Sequence, residues 1–102
     1  MIREIGLTER DLDLIRGVLA RHPEVSGAIL FGSRAKGTAT ATSDIDLALE
    51  GLDDPLKAEA IASELEELPL PWRFDVKALA ALRFSPLKAH IARVGIQILA
   101  KA

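Results

Sequence analysis

Apolar residues recur at helical spacing in three segments of the chain, and each segment opens on a residue that caps helices well. The first follows Thr8, which forms a candidate capping pair with Asp11, and it is expected to end at Pro23. The other two open on Asp-Pro at 54–55 and Ser-Pro at 85–86, which supply an N-cap and a first helical proline. The expected buried faces are Leu12, Ile15, Val18 and Leu19 in the first helix, and Leu56, Ala60, Ile61 and Leu65 in the second.

Short segments with strand character lie between these helices. Residues 25–31 form an apolar run, residues 44–49 and 72–78 alternate between apolar and polar side chains, and residues 96–99 resemble a final short strand. The order of elements predicts a small α/β (α+β) fold of two layers, in which helices pack on a mixed β-sheet. We expect a single domain over residues 1–102.

The composition predicts an aliphatic core. Hydrophobic residues make up 49% of the 102-residue chain, yet aromatic residues make up only 4%, so Leu, Ile, Val and Ala must fill the interior. The mean hydropathy of +0.20 is high for a small domain with a large surface. It fits a homo- or hetero-oligomer, and it fits equally well a monomeric domain rich in Ala and Leu.

The charge balance and residue content exclude several classes of function. A net charge of -2 provides no basic field, so we expect no direct binding of DNA or RNA. The absence of cysteine excludes disulfides, thiolate catalysis and zinc–thiolate sites. No signal peptide and no apolar run long enough for a membrane span is found, so we expect a cytoplasmic protein.

Three aspartates provide the candidate chemistry. Side chains alternate along a strand, so Asp44 and Asp46 should share one face while the apolar residues between and after them share the other. Asp75 interrupts an otherwise apolar strand pattern in the same way. Magnesium prefers carboxylate, water and phosphate oxygens, and two ions about 3.5–4 Å apart are typical of phosphoryl-transfer sites. The three carboxylates are therefore candidate ligands for two Mg²⁺ ions.

A glycine–serine turn provides the matching candidate for phosphate binding. Gly32 would allow the backbone to approach a phosphate closely, and Ser33 would open a short helix that Gly37 ends. The Ser33 hydroxyl and nearby N–H groups could then bind the β- and γ-phosphates of a nucleotide. Arg34 and Lys36 would add positive charge at the same place.

Each of these features also has a purely structural interpretation. A Gly-Ser pair is often only a turn, and an Asp-x-Asp pair is common on solvated strands. Asp75 alone would pair with Arg73 or Lys77. Structural interpretations of the remaining candidates are solvated helix positions for Arg34 and Lys36, a loop position for His22, a helix surface position for His90 and a core position for Trp72.

The combination resembles the nucleotidyltransferase domains of the DNA polymerase beta superfamily. The run FGSRAKG at 31–37 is followed by SDIDL at 43–47, and ten residues separate Gly-Ser from Asp-x-Asp. The short chain is similar to the minimal nucleotidyltransferase (MNT) group. The resemblance implies the polymerase beta-like fold, and it implies a role for each candidate residue: Asp44, Asp46 and Asp75 as catalytic metal ligands, and Gly32, Ser33 and Arg34 as the nucleotide-binding residues.

The same resemblance implies a partner and an activity. MNT proteins commonly work with helical HEPN-type proteins, often as antitoxins, and some adenylylate that partner. We therefore expect Mg²⁺-dependent transfer of AMP from ATP to a hydroxyl of a HEPN-type partner. A binding subunit that neutralises its partner by occlusion remains an alternative. Transfer to a small molecule is a further alternative, which the absence of a substrate domain disfavours.

Overall fold

The computed structural model describes residues 5–83 and 85–101, with no side-chain description for Ser85. The elements follow the predicted order, and the strand boundaries lie within two residues of the predicted ones. Their bounds are α1 Glu9–Ala20, β1 Gly27–Phe31, α2 Gly32–Lys36, β2 Ile45–Glu50, α3 Pro55–Glu66, β3 Phe74–Ala78, a 3-10 turn Leu79–Ala81, α4 Ser85–Val94 and β4 Ile96–Ala100.

The four strands form one mixed sheet in the order β3-β2-β1-β4. Strand β1 is antiparallel to both β2 and β4, whereas β2 and β3 are parallel. Parallel neighbours need a crossover connection, which α3 provides here. The predicted mixed sheet packed by helices is confirmed.

The main core lies between one face of the sheet and helices α1 and α3. Both strands at the centre of the sheet direct aliphatic side chains into it, and Leu30 and Leu47 are fully buried. All four residues of the predicted α1 face are buried there as well. The sheet residues of this core are Ala28, Leu30, Ile45, Leu47, Leu49, Phe74, Val76, Ala78 and Ile98.

The opposite face of the sheet is covered only in part. Helix α4 packs there through Ile91, which forms a small cluster with Phe31 and Ala48. Asp46 lies two residues before Ala48 on the same strand, so its side chain projects from this face too. Asp46 therefore lies on the less covered side of the sheet, beside Phe31 of this cluster, which is its partner on β1.

The predicted caps of α1 and α3 are confirmed. Thr8 Oγ1 accepts a hydrogen bond from the Asp11 N–H at 3.1 Å, and the Asp11 carboxylate accepts one from the Thr8 N–H at 2.9 Å. The Asp54 carboxylate accepts one from the Leu56 N–H at 2.9 Å, with Pro55 as the first residue of α3. Helix α4 begins at Ser85, and the predicted capping role of that side chain lies outside the described residues.

The predicted buried face of α3 is partly wrong. Ile61 and Leu65 are buried as expected, but Leu56 is 74% exposed and Ala60 is also exposed. Ala58 takes their place, because positions 58, 61 and 65 follow the three- and four-residue spacing of one helix face. Leu56 lies two residues before Ala58 and so points away from the core.

Membrane-spanning character is absent from the helices of residues 5–83 and 85–101. None of them combines the length and the apolar content that a bilayer crossing requires.

Candidate functional site

The register of β2 and β3 brings two of the three candidate aspartates side by side. Asp46 and Asp75 are direct partners across these parallel strands. Their neighbours Ile45, Phe74 and Val76 are buried on the other face, as the alternation predicted. Asp44 lies one residue before β2 and is exposed, as is Asp75, while Asp46 is half-buried. Asp46 and Asp75 therefore project from the same side of the sheet, and Asp44 immediately precedes β2.

The electrostatics of Asp46 reflect this grouping. Burial, followed by the neighbouring negative charges of Asp75 and Asp44, raises the pKa of Asp46 to about 6. Lys77 and Arg34 oppose this effect, but less strongly. A cation bound here would relieve the repulsion between these carboxylates and favour the ionised form of Asp46.

The three carboxylates do not converge on one point. Among the described residues, no group of three acidic or histidine side chains is close enough to hold a metal ion as they stand. One oxygen of Asp75 is instead 3.4 Å from Lys77 Nζ, which is one of the two ion pairs that the sequence suggested. The donor set nevertheless fits Mg²⁺, because the ion prefers carboxylate oxygens and all three residues lie on adjacent backbone segments. Asp44 and Asp75 are exposed, so their side chains have room to turn toward a shared ion.

The glycine–serine turn lies against the same site. Phe31, the last residue of β1, pairs with Asp46, so Gly32 and α2 begin next to that carboxylate. Gly32 has φ +76°, and a Cβ on it would collide with the Asp46 carboxylate. Gly37 ends α2 with φ +78°, as predicted. The bend and the acid therefore touch only because residue 32 has no side chain.

Arg34 is placed differently from the other candidates. Its side chain is only 1% exposed, so its interpretation as a solvated helix residue is wrong. Its guanidinium donates to the carbonyl oxygens of Ser43, Ile5 and Gly6. A direct contact with nucleotide stays a prediction for Gly32, Ser33 and Arg34, and of these Gly32 lies directly against the Asp46 carboxylate.

Trp72 and His90 both pack against other side chains of the domain. Trp72 packs against the core, as predicted, and its ring lies 4.8 Å from Arg34 Cζ. His90 is half-buried on α4, with its ring 6.2 Å edge-on from that of Phe31, rather than on the open helix surface. A cavity of about 290 Å³ is lined by residues that include Arg34 and Trp72, and none of the three aspartates lines it.

His22 has a structural partner. Its Nε2 lies 3.0 Å from the Glu64 carboxylate, and this contact is the largest cause of the lowered pKa of Glu64. His22 lies in a loop, as predicted. Its contact with Glu64 of α3, 42 residues later, could not be predicted from a single sequence.

Comparison with known proteins identifies the family. The sequence profile described as polymerase beta, nucleotidyltransferase, matches residues 13–102. The chain belongs to this family. Membership confirms the resemblance drawn from the Gly-Ser and Asp-x-Asp motifs, and with it the class of enzyme. A search of curated proteins found no significant match.

Solved structures confirm the polymerase beta-like fold. A toxin–antitoxin complex with AMP-PNP contains a chain similar to this one, with TM-score 0.76 and 24% identity over 88% of this chain and 73% of that chain. The MntA–HepT toxin–antitoxin structure has TM-score 0.71 and 20% identity, over 92% and 74% of the two chains. The complex of tri-AMPylated Shewanella oneidensis HEPN toxin with MNT antitoxin has TM-score 0.73 and 19% identity, over 93% and 74%.

Proposed function

We propose that this nucleotidyltransferase transfers AMP from Mg²⁺-bound ATP to a hydroxyl group of a HEPN-type partner protein, and that it acts as the antitoxin of that partner. The similar structures support the choice of donor and acceptor, since one contains AMP-PNP and another contains an AMPylated HEPN toxin. The observation that carries the proposal is the register pairing of Asp46 with Asp75 beside the Gly32 bend.

The reaction is a substitution at the α-phosphorus of ATP. A hydroxyl oxygen of the partner forms a bond to this phosphorus, the bond to the bridging oxygen of the β-phosphate breaks, and pyrophosphate leaves with that electron pair. Bound magnesium would neutralise the leaving pyrophosphate and lower the pKa of the attacking hydroxyl.

The residues of this chain bind and orient the reactants. Asp44, Asp46 and Asp75 would hold the cations, and the exposed Asp75 carboxylate would accept the proton of the attacking hydroxyl. Gly32 leaves room for phosphate beside Asp46, and the Ser33 hydroxyl would donate to a phosphate oxygen. Binding requires the Asp75–Lys77 ion pair to open, which costs little at a half-exposed site.

The direct test is transfer of label from ATP to the partner. The chain, the HEPN-type partner from the same source and Mg²⁺ are incubated with ATP labelled at the α-phosphate, and parallel reactions contain EDTA or γ-labelled ATP. We expect label on the partner only with α-labelled ATP and Mg²⁺. No label from a folded chain that binds Mg²⁺–ATP would contradict the proposal.

A binding function without catalysis is the second candidate. It is favoured by the incomplete convergence of the carboxylates and by the Asp75–Lys77 ion pair. The double variant Asp44→Asn/Asp46→Asn separates the two candidates. If the antitoxin works by transfer, the double variant should fail to neutralise its partner while still binding it; if neutralisation is unchanged, occlusion is the function.

A further inference from the structure

The sole buried charged side chain among the described residues belongs to Arg34, at 1% exposure. Nε and Nη2 donate to the Ser43 carbonyl at 3.3 and 2.8 Å. Nη1 donates to the carbonyls of Ile5 at 3.0 Å and Gly6 at 3.4 Å. These four hydrogen bonds use most of the five N–H donors that a guanidinium has.

The Arg34 guanidinium also contacts Trp72, which lies in the segment that precedes β3. Its Cζ lies 4.8 Å from the centroid of the Trp72 ring, in the range of a cation–π contact. Trp72 Nε1 in turn donates to the Ala41 carbonyl at 2.8 Å. Arg34 therefore joins helix α2, the loop that leads to Asp44 and the segment that leads to Asp75.

The position of Asp44 depends on this arrangement. Asp44 immediately precedes β2. The next residue, Ile45, donates its N–H to the Arg73 carbonyl at 2.9 Å, and this hydrogen bond begins the pairing of β2 with β3. On the other side, the Ser43 carbonyl is bound by two guanidinium nitrogens. The peptide that carries Asp44 is thus fixed between the sheet and the arginine.

We propose that Arg34 is a positioning residue for the metal-binding carboxylates, which acts through the Ser43 carbonyl and the Trp72 ring and not by touching nucleotide. The proposal rests on the proposed function of the three aspartates as a cation site. Its physical basis is that groups which fix the orientation of metal ligands by hydrogen bonds typically alter metal affinity by about 10–100-fold when they are changed. Arg34 acts one step further out, on the peptide next to Asp44. A phosphate ligand, by contrast, would need exposed donors, and the Arg34 donors are buried and paired.

The test uses Mn²⁺ as the probe, with binding to the chain alone measured by electron paramagnetic resonance. Arg34→Lys keeps the positive charge but cannot donate two bonds to one carbonyl and the others at once. We expect it to weaken Mn²⁺ binding about tenfold or more and to leave the affinity for metal-free ATP unchanged. Arg93→Met, which removes an exposed cation from the last turn of α4, is the control and should not weaken Mn²⁺ binding.

The alternatives predict different results. If Arg34 acts only through its charge, Arg34→Lys should bind Mn²⁺ like the wild type, and Arg34→Met should bind it more tightly because a repelling cation is gone. If Arg34 is a phosphate ligand, metal-free ATP should bind less tightly. If it serves only folding, the melting temperature should fall with neither affinity changed. Each of these outcomes overturns the proposal.

Trp72→Phe tests the same proposal in case the Arg34 variants do not fold. Trp72→Phe keeps an aromatic face for the guanidinium but loses the hydrogen bond to the Ala41 carbonyl. We expect several-fold weaker Mn²⁺ binding with an intact fold by circular dichroism, and unchanged Mn²⁺ binding would contradict the proposal. If the wild-type chain binds Mn²⁺ but transfers no AMP, the proposed function is refuted while the positioning role of Arg34 can still be tested. If the wild-type chain binds no Mn²⁺, both proposals are refuted.

Discussion

Replacing Asp46 with asparagine should stabilise the metal-free protein at neutral pH. The pKa of Asp46 is raised from 3.8 to about 6 by burial and by Asp75 and Asp44, so the native state holds this proton more tightly than the unfolded state does. The resulting stabilisation is complete below about pH 4 and is lost as the pH rises through about 6. A shift of about two pH units corresponds to about 3 kcal/mol. Solvent screening at this half-exposed carboxylate reduces the expected effect to about 1–2 kcal/mol.

The assay is urea unfolding in EDTA between pH 4 and pH 8, for the wild type and Asp46→Asn. The difference in unfolding free energy should grow by about 1–2 kcal/mol in favour of the variant between pH 4 and pH 7. Asp53→Asn, which removes an exposed acid beyond the end of β2, is the control and should show no such growth. A difference that does not change with pH would show that the Asp46 carboxylate does not destabilise the metal-free fold.

Three further predictions concern Gly32 and helix α3. Gly32→Ala should cost about 1–3 kcal/mol and abolish stabilisation by Mg²⁺–ATP, because φ is positive and the new Cβ would meet the Asp46 carboxylate. Gly17→Ala in α1, where an added Cβ would meet no side chain or neighbouring segment, should instead stabilise by about 0.5–1 kcal/mol; thermal melts measure both changes. Asp54→Ala should cost about 1 kcal/mol in urea unfolding through the lost N-cap, without affecting the Mg²⁺–ATP melting shift. Leu56→Glu should change stability by less than about 0.5 kcal/mol, whereas Leu65→Ala should cost about 2–5 kcal/mol; equal costs would contradict the corrected face of α3.

The sequence predicts the elements that local rules determine. The Thr8–Asp11 pair and the Asp54 cap are interactions between residues two or three apart, so they can be read directly from the chain. The alternation around Asp46 and Asp75 likewise assigns each side chain to one face of its strand. The two acids could be expected to share a site because both interrupt apolar strand patterns.

The parts that the sequence did not predict depend on contacts between distant segments. The face of α3 that is buried depends on how the helix crosses the sheet, and its alternation of Leu and Ala permits more than one choice. The burial of Arg34 depends on carbonyls up to 29 residues away and on the Trp72 ring. A lone arginine in a short helix carries no local signal of either kind, so solvation was the natural expectation.

The proposed aspartate metal site is tested most directly by the position of Mn²⁺ in crystals of the protein that are soaked or grown with a non-hydrolysable ATP analogue. Anomalous scattering locates the ion. We expect Mn²⁺ bound by Asp44, Asp46 and Asp75 together, with the analogue phosphates at Gly32 and Ser33. Nucleotide bound elsewhere, or Mn²⁺ that Asp46 and Asp75 do not share, would contradict this expectation.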